Sequence, residues 1–290
     1  MTENKEIKAL LLLLDDPDET VFKMVGDRIV SIGKQIIPNL EQVWETVPNE
    51  DLQERIEMLI HRVHFRDLTE EMVAWKASAD QDLIKAALLV ARYQYPDLAV
   101  AETLQFIEKI KRNIWLELNN YLTPLEQINV FNSILFNYFK LAGQEIDYEH
   151  PDQFLIHKAL ESKKGNSIIN SVIYQALCEL LDIPVYAVRI PKQFLLAYLN
   201  TNPALPGSKR HGSDNISFYI DPLNGQMYSH KDVENYFKRM SVPPVSYHFK
   251  PMHHDEIILR LIEEFAKCFD NDNNRYKMKE LQSLADILTQ

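Results

Sequence analysis

The sequence predicts an α+β fold that is mostly helical, with one small antiparallel sheet in its second half. The chain has only 7 glycines against 14 prolines, and apolar residues recur at helical spacing along most of its length. Continuous β-like runs are instead concentrated between residues 185 and 220. Apolar residues cover most of the surface of the helix that precedes them, at 168–181, so we expect it to be buried against the sheet.

Residues 1–65 are predicted to form stacked helix pairs. Asp16-Pro17-Asp18-Glu19 provides an N-cap, a first-turn proline and an acid at the third position, which is the pattern of a capping box. The helix that follows should end at Gly33. The phrase Leu-Leu-Asp-Asp-Pro-Asp-Glu-x-Val resembles a HEAT repeat, so we interpret this segment as a HEAT-like helical region.

Residues 66–146 are predicted to form a second helical region that packs on the core. Helices are expected at about 68–77, 80–94, 98–118 and 124–142. A second capping box, Thr123-Pro124-Leu125-Glu126, begins the last of these helices, and Gly143 should end it. Four aromatic residues in this helix are interpreted as core positions: Phe131, Phe136, Tyr138 and Phe139.

Residues 147–245 carry the pattern that the rest of the chain is organised around. A turn at 163–167 leads into the buried helix, and three β-like runs follow at 185–190, 194–199 and 216–220. The last run ends at Asp221. A turn, a buried helix and strands with polar residues at their edges form the layout of a papain-type fold. In that layout a nucleophile caps the helix, a base lies on one strand and an orienting acid lies on the next.

Residues 246–290 are predicted to form one helical hairpin, with helices at about 254–269 and 274–289, which resembles a single tetratricopeptide unit. Asp270, Asp272 and Asn274 begin like a calcium loop, but Arg275 replaces the required glycine and Leu281 the closing glutamate. The histidines nearby lack zinc spacing. No phosphate-binding or dinucleotide motif occurs, so we expect no metal and no cofactor.

Several short motifs, in the right order along the chain, resemble the transglutaminase-like superfamily, and more closely the SirB-type bacterial proteins with a degenerate transglutaminase core. The resemblance covers roughly two-thirds of the chain. It extends from the helix at 86–98 to the segment at 257–261. The motifs of the core are Lys164-Gly165-Asn166, Leu181-Asp182-Ile183-Pro184-Val185, Pro191-Lys192-Gln193-Phe194-Leu195-Leu196 and Ile220-Asp221-Pro222-Leu223-Asn224-Gly225.

The resemblance implies a catalytic triad of which this chain retains one member. Ser167 stands where the family has its nucleophilic cysteine, and Gln193 stands where the family has its histidine base. Only Asp221 keeps the residue of the acid position. A serine hydroxyl needs a strong base, and glutamine cannot accept a proton. The resemblance therefore implies a degenerate site.

Two other residues, Cys178 and His211, are candidates to replace the missing groups. Cys178 lies eleven residues after Ser167, about 16 Å along the helix, and on its apolar face, so we interpret it as a buried hydrophobe. His211, in the polar loop between the second and third runs, can act as a base only if it reaches Ser167. That loop is either a solvated hairpin or a flap over the site. Ser167 itself is interpreted as an N-cap.

The amino-acid composition argues against several classes of function. The net charge of −11 argues against a general nucleic-acid or anionic-membrane surface. Two distant cysteines provide no disulfide framework, which suits a reducing cytoplasm. The apolar run at 9–14 is too short to span a membrane and lacks the features of a signal peptide. We expect a cytoplasmic protein.

Two hypotheses from different classes follow. The first is an inactive transglutaminase-like protein that binds a protein or peptide in its relict cleft, lined by Asn166, Ser167, Gln193 and Asp221 with His211 nearby. This lining should be uncharged to acidic. The second is a serine hydrolase or acyl transferase that uses Ser167 and Asp221 with a base such as His211. A purely structural helical scaffold is a third, and would lack a concave pocket at Gln193.

Overall fold

The computed structural model describes residues 3–200 and 215–289. The chain divides into two compact units, one comprising residues 1–75 and 92–96 and the other residues 76–91 and 97–290. The described elements are mostly helices with one small antiparallel sheet, as predicted from the sequence, and a second, two-stranded parallel sheet that the sequence did not predict. Across these described stretches, no helix combines the length and the apolar character needed to cross a membrane.

The first unit is built from four helices. They are α1 (Glu3–Leu12), α2 (Glu19–Ile32), α3 (Ile37–Thr46) and α4 (Glu50–Ala77). Their apolar faces meet in one core that includes Leu14, Ile29, Ile36, Leu40, Ile56 and Val63. The N-cap of α2 is Asp18, whose side chain accepts from the Thr20 amide, so the predicted start at Asp16 is wrong by two residues. Gly33 ends α2 with φ of 88°, as expected.

The next helices are α5 (Leu83–Gln94), which belongs to the second unit as far as residue 91, and α6 (Val100–Glu117) and α7 (Pro124–Asn132), which belong to it entirely. The capping box of Thr123 and Glu126 is present, which confirms that prediction. The chain continues as a π-helical segment, Ser133–Tyr138, and leaves it through Lys140 in the left-handed region at φ 61°. The predicted end of the helix at Gly143 is therefore wrong. Tyr138, predicted to be in the core, is 65% exposed.

Two glycines allow a short pair of parallel strands to pack closely against neighbouring segments. Gly143 lies in β1 (Ala142–Gly143), which pairs with β2 (Lys164–Gly165). A Cβ atom on Gly143 would lie 2.5 Å from the Leu223 carbonyl oxygen. A Cβ atom on Gly165 would overlap the Asn170 side-chain oxygen. Both positions need glycine because another segment approaches closely.

The core of the second unit is the buried helix and the sheet that the sequence predicts. After α8 (Ile156–Ser162) comes α9 (Ser167–Glu179), in which residues 168–178 are all buried. The sheet has the order β3-β4-β5-β6 and is antiparallel throughout. Its strands are β3 (Val185–Val188), β4 (Leu195–Leu199), β5 (Ile216–Ile220) and β6 (Met227–Tyr228).

Three helices complete this unit. The first, α10 (His230–Met240), begins with a capping box of Ser229 and Asp232. The other two, α11 (His254–Ala266) and α12 (Arg275–Thr289), form the expected hairpin. Their apolar faces supply buried residues such as Leu261, Phe265, Leu281 and Leu284.

A chain of hydrogen bonds joins α9, β3 and α11. Gln175 accepts from the Ala187 amide at 2.8 Å and donates to Glu179 at 2.8 Å. The Glu179 carboxylate also lies 2.8 Å from Nε2 of His254, whose Nδ1 lies 2.8 Å from the Gln81 carbonyl oxygen. A ring with an acceptor at both nitrogens is satisfied only as the imidazolium. The Glu179 hydrogen bond accordingly raises the pKa of His254, against the opposing effect of burial.

We expect His254 to make the stability of the protein depend on pH. Because its pKa is raised on folding, its contribution is complete below pH about 6.5 and is lost as the pH rises through the folded-state pKa. His254→Gln should lower the free energy of unfolding by about 1.5 kcal/mol at pH 6. The difference in unfolding free energy between wild type and His254→Gln, measured by urea titration, should become smaller at alkaline pH. A deficit that is constant from pH 6 to 9 would contradict a charged His254.

Candidate functional site

The first turn of α9 is fixed by Asn166, which is fully buried. Its side-chain oxygen accepts from the amides of Ile168 and Ile169, both at 3.0 Å, and its amide group donates to the Gln153 carbonyl oxygen at 3.0 Å. Asn166 is therefore the N-cap, and the interpretation of Ser167 as the cap is wrong by one residue. Ser167 is the first helical residue.

The second and third candidate residues lie at one edge of the sheet. Gln193 comes two residues before β4, and Asp221 directly follows β5. Because Leu196 pairs with Ile220 in an antiparallel register, the beginning of β4 and the end of β5 meet at the same edge. The segment that carries His211 joins the opposite ends of these strands, since Leu199 pairs with Ile216. His211 itself lies outside the described residues.

A cleft of about 540 Å³ lies between the start of α9, this sheet edge and the tail hairpin. Both Ser167 and Gln193 line it. Its apolar lining comes from Ile146, Ile168, Val188, Ile190, Pro191, Phe194 and Met252. Asn166 and Asp221 are not among the lining residues. The structure thus brings together two of the four described candidate residues, and Asn166 supports the helix beside them.

Asp221 structures the turn between β5 and β6. Its Oδ1 accepts from the Leu223 amide at 2.8 Å, and its Oδ2 accepts from the Tyr228 hydroxyl at 3.5 Å. Burial, and then the Asp221 charge, raise the pKa of Tyr228. Tyr228 lines a neighbouring pocket of about 440 Å³ that shares Gln193 with the cleft. Both oxygens of the Asp221 carboxylate thus accept hydrogen bonds from residues of its own turn and of the strand that follows.

The cleft contains a charged group that sequence reasoning missed. Glu264 on α11 is only 4% exposed. Its carboxylate accepts from the Tyr148 hydroxyl at 2.6 Å and from Lys267 at 2.8 Å, and lies 3.0 Å from Arg260. All four side chains line the cleft. A sequence signal existed, since Glu264 interrupts the apolar stripe of α11 with basic residues four positions before and three after it.

These contacts determine the ionisation of the buried groups. Burial disfavours the charged form of Glu264, but the hydrogen bonds from Lys267 and Tyr148 and the charge of Arg260 outweigh it and lower its pKa. Burial, together with the same carboxylate, raises the pKa of Tyr148 to about 12. At neutral pH, Glu264 is therefore an anion that accepts a hydrogen bond from a neutral tyrosine.

The charge of the cleft differs from the expected uncharged-to-acidic lining. Among the described lining residues, Glu264 is the one carboxylate, whereas four are basic: Arg189, Lys192, Arg260 and Lys267. The expectation was wrong because three of these residues come from segments outside the motifs that were assigned to the site.

No histidine or cysteine lines this cleft in the part of the chain that is described. Cys178 is fully buried, as predicted, and burial raises its pKa well above the usual value for a thiol. Burial raises the pKa of Cys268 to about 12. Residues 3–200 and 215–289 hold no cluster of three potential metal ligands.

Comparison with known proteins identifies the family. The description "Transglutaminase-like superfamily" belongs to the family whose pattern matches residues 101–263, which is more than half of the chain. The chain belongs to the transglutaminase-like superfamily. This match includes the whole of the buried helix and the sheet, and it confirms the superfamily that the sequence motifs predicted.

Two curated relatives carry the name "UPF0162 protein", both from Xylella fastidiosa. The relative from strain 9a5c is 26% identical over 217 residues, which cover 69% of this chain and 70% of the relative. The relative from strain Temecula1 is 31% identical over 147 residues, which cover 49% of this chain and 46% of the relative. No solved structure shows a significant match.

Proposed function

We propose that this chain is a catalytically inactive member of the transglutaminase-like superfamily that binds a protein or peptide segment in the cleft of Ser167 and Gln193. The observation that carries the proposal is that a concave site persists where the resemblance places the catalytic cysteine and histidine, lined by serine and glutamine instead. We further propose a SirB-type protein of the cytoplasm. Its HEAT-like region (1–65), helical region (66–146), degenerate core (147–245) and tetratricopeptide-like hairpin (246–290) would serve this binding role.

The chemistry of the described cleft favours binding over catalysis. No histidine is present among the described lining residues to act as a base for the Ser167 hydroxyl, and two other ionisable lining residues, Lys267 and Glu264, are bonded to each other as an ion pair. Gln193 offers an amide that donates and accepts hydrogen bonds without transferring a proton. Apolar side chains beside such groups suit an extended peptide with alternating apolar and polar residues.

The binding role can be tested with peptides selected from a random display library on the intact protein. We expect selected peptides to bind in fluorescence anisotropy titrations, and we expect Gln193→Trp, an exposed lining position, to weaken binding at least about tenfold. The matched control is Gln282→Trp on the exposed face of α12. Equal binding by wild type and Gln193→Trp, or the failure of any peptide to be selected, would overturn the proposal.

Activity assays test the catalytic half of the proposal. We expect wild-type protein to release no product from a panel of peptide amides and esters above the rate of Ser167→Ala, because no histidine lines the described cleft and its one carboxylate, Glu264, is already bonded to Tyr148 and Lys267. Both proteins should have the same far-ultraviolet circular dichroism. Turnover by wild type that disappears in Ser167→Ala would favour the alternative, a serine hydrolase or acyl transferase, and would direct attention to His211.

A further inference from the structure

The carboxylate of Glu264 compensates only part of the positive charge in the cleft. Arg260 and Lys267 share this single carboxylate, at 3.0 and 2.8 Å. Arg260 also reaches the exposed Glu263 at 3.5 Å. The side chains of both basic residues keep about half of their surface exposed, at 46% and 51%. Each therefore has donor capacity left for a ligand.

Lys192 adds a further positive charge at the mouth of the cleft. It is exposed and lies in the turn before β4, with its backbone in the left-handed region at φ 59°. None of the described carboxylates forms an ion pair with it. This turn also carries Gln193, so the lysine lies beside the proposed binding position.

Arg189, in contrast, is fully engaged. Its guanidinium donates to Glu256 through two nitrogens and to the carbonyl oxygens of Lys250 and Pro251, at 3.0 and 2.8 Å. Its side chain is only 13% exposed. Arg189 therefore holds the segment before α11 and has no free donor for a ligand. The basic residues of the cleft that can bind a ligand are Lys192, Arg260 and Lys267.

We propose that this cleft selects an acidic peptide segment, whose Asp or Glu carboxylates bind Lys192, Arg260 and Lys267. The inference rests on the proposed peptide-binding function and specifies its ligand class. The chain as a whole carries a charge of −11, so an acidic segment is repelled by most of the surface and attracted at the cleft. This contrast favours one docking position. The apolar lining residues can hold side chains that flank the carboxylates.

The first part of the test is the composition of the selected peptides. We expect enrichment of Asp and Glu over the starting library. A synthetic selected peptide in which each Glu is replaced by Gln should bind at least about tenfold more weakly, since a hydrogen bond to a charged group is stronger than a neutral one. Binding should also weaken as the salt concentration rises from 50 to 200 mM.

The second part assigns this preference to the cleft. Lys192→Gln, at an exposed turn, should reduce the preference for the Glu peptide over its Gln analogue several-fold, and Lys267→Gln should do the same. The control is Lys238→Gln, which removes the same charge from the exposed side of α10 and should leave the preference unchanged. Lys267→Gln removes an ion-pair partner of Glu264 and could therefore affect folding. Lys192→Gln removes no such partner, so the test remains valid in that case.

The outcomes separate this inference from the proposed function. Peptides that bind at the cleft without acidic enrichment would overturn the acidic preference and leave the binding role intact. An acidic preference that survives Lys192→Gln and Lys267→Gln, or falls equally in Lys238→Gln, would overturn its assignment to these residues. If no peptide of any charge binds, both proposals fail.

Discussion

Gly165→Ala is expected to lower the free energy of unfolding by about 3 kcal/mol or more. A Cβ atom there would overlap Oδ1 of Asn170 and lie 2.9 Å from Cγ2 of Ile169. Neither side chain can move easily, because both belong to the buried first turns of α9. Asn170 also donates to the Pro222 carbonyl oxygen at 3.2 Å, so displacing it breaks a buried hydrogen bond.

A double-mutant cycle with Asn170→Ala tests this explanation. Asn170→Ala removes both the side-chain oxygen that the added Cβ atom would overlap and the hydrogen bond to Pro222. Gly165→Ala combined with Asn170→Ala should therefore cost less than the sum of the two single changes. Urea denaturation of the four proteins provides the measurement. Strict additivity would show that the cost of the alanine does not arise from its contact with Asn170.

Asn166→Ala is expected to lower the free energy of unfolding by about 2 to 3 kcal/mol. The substitution removes the N-cap of α9, for which about 1 kcal/mol is typical. It also leaves the partly buried Gln153 carbonyl oxygen without its 3.0 Å partner, which adds the cost of an unsatisfied polar group. Unlike most capping residues, Asn166 thus serves two segments at once.

Two variants separate these contributions to the Asn166 effect. Asn166→Ser retains an oxygen that can cap the helix but loses the donor to Gln153, so its cost should be intermediate. Ser167→Ala, one residue later, should change the free energy of unfolding by less than about 0.5 kcal/mol. If Ser167→Ala proves more destabilising in urea titrations than Asn166→Ala, the assignment of the cap to Asn166 is wrong.

Local patterns predicted most of the elements of this fold. The capping boxes at Thr123 and Ser229 satisfy their own backbone amides, so three or four neighbouring residues suffice to place the helix start. At the start of α9, Asn166 and Ser167 are both favourable caps and stand side by side. The choice between them depends on Gln153, thirteen residues earlier, which only the fold brings into contact.

The charge of the cleft could not be predicted from local patterns. Tyr148 and Glu264 are separated by 116 positions, and their hydrogen bond depends on how the tail hairpin packs near α9. The requirement for glycine at position 143 likewise arises from a contact between distant parts of the chain. As a helix stop it would need only its own backbone, but the structure requires glycine there because Leu223, eighty residues later, approaches it.

The most direct test of the account is to map where a bound peptide lies. A selected peptide that carries a photoreactive benzoyl group would be cross-linked to the wild-type protein, and the products would be digested and identified by mass spectrometry. If the cleft is the binding site, cross-links should lie within residues 188–194 and 252–267, the segments that supply most of its lining residues, and excess unlabelled peptide should abolish them. Displaceable cross-links confined to residues 19–66 would contradict the cleft as the binding site.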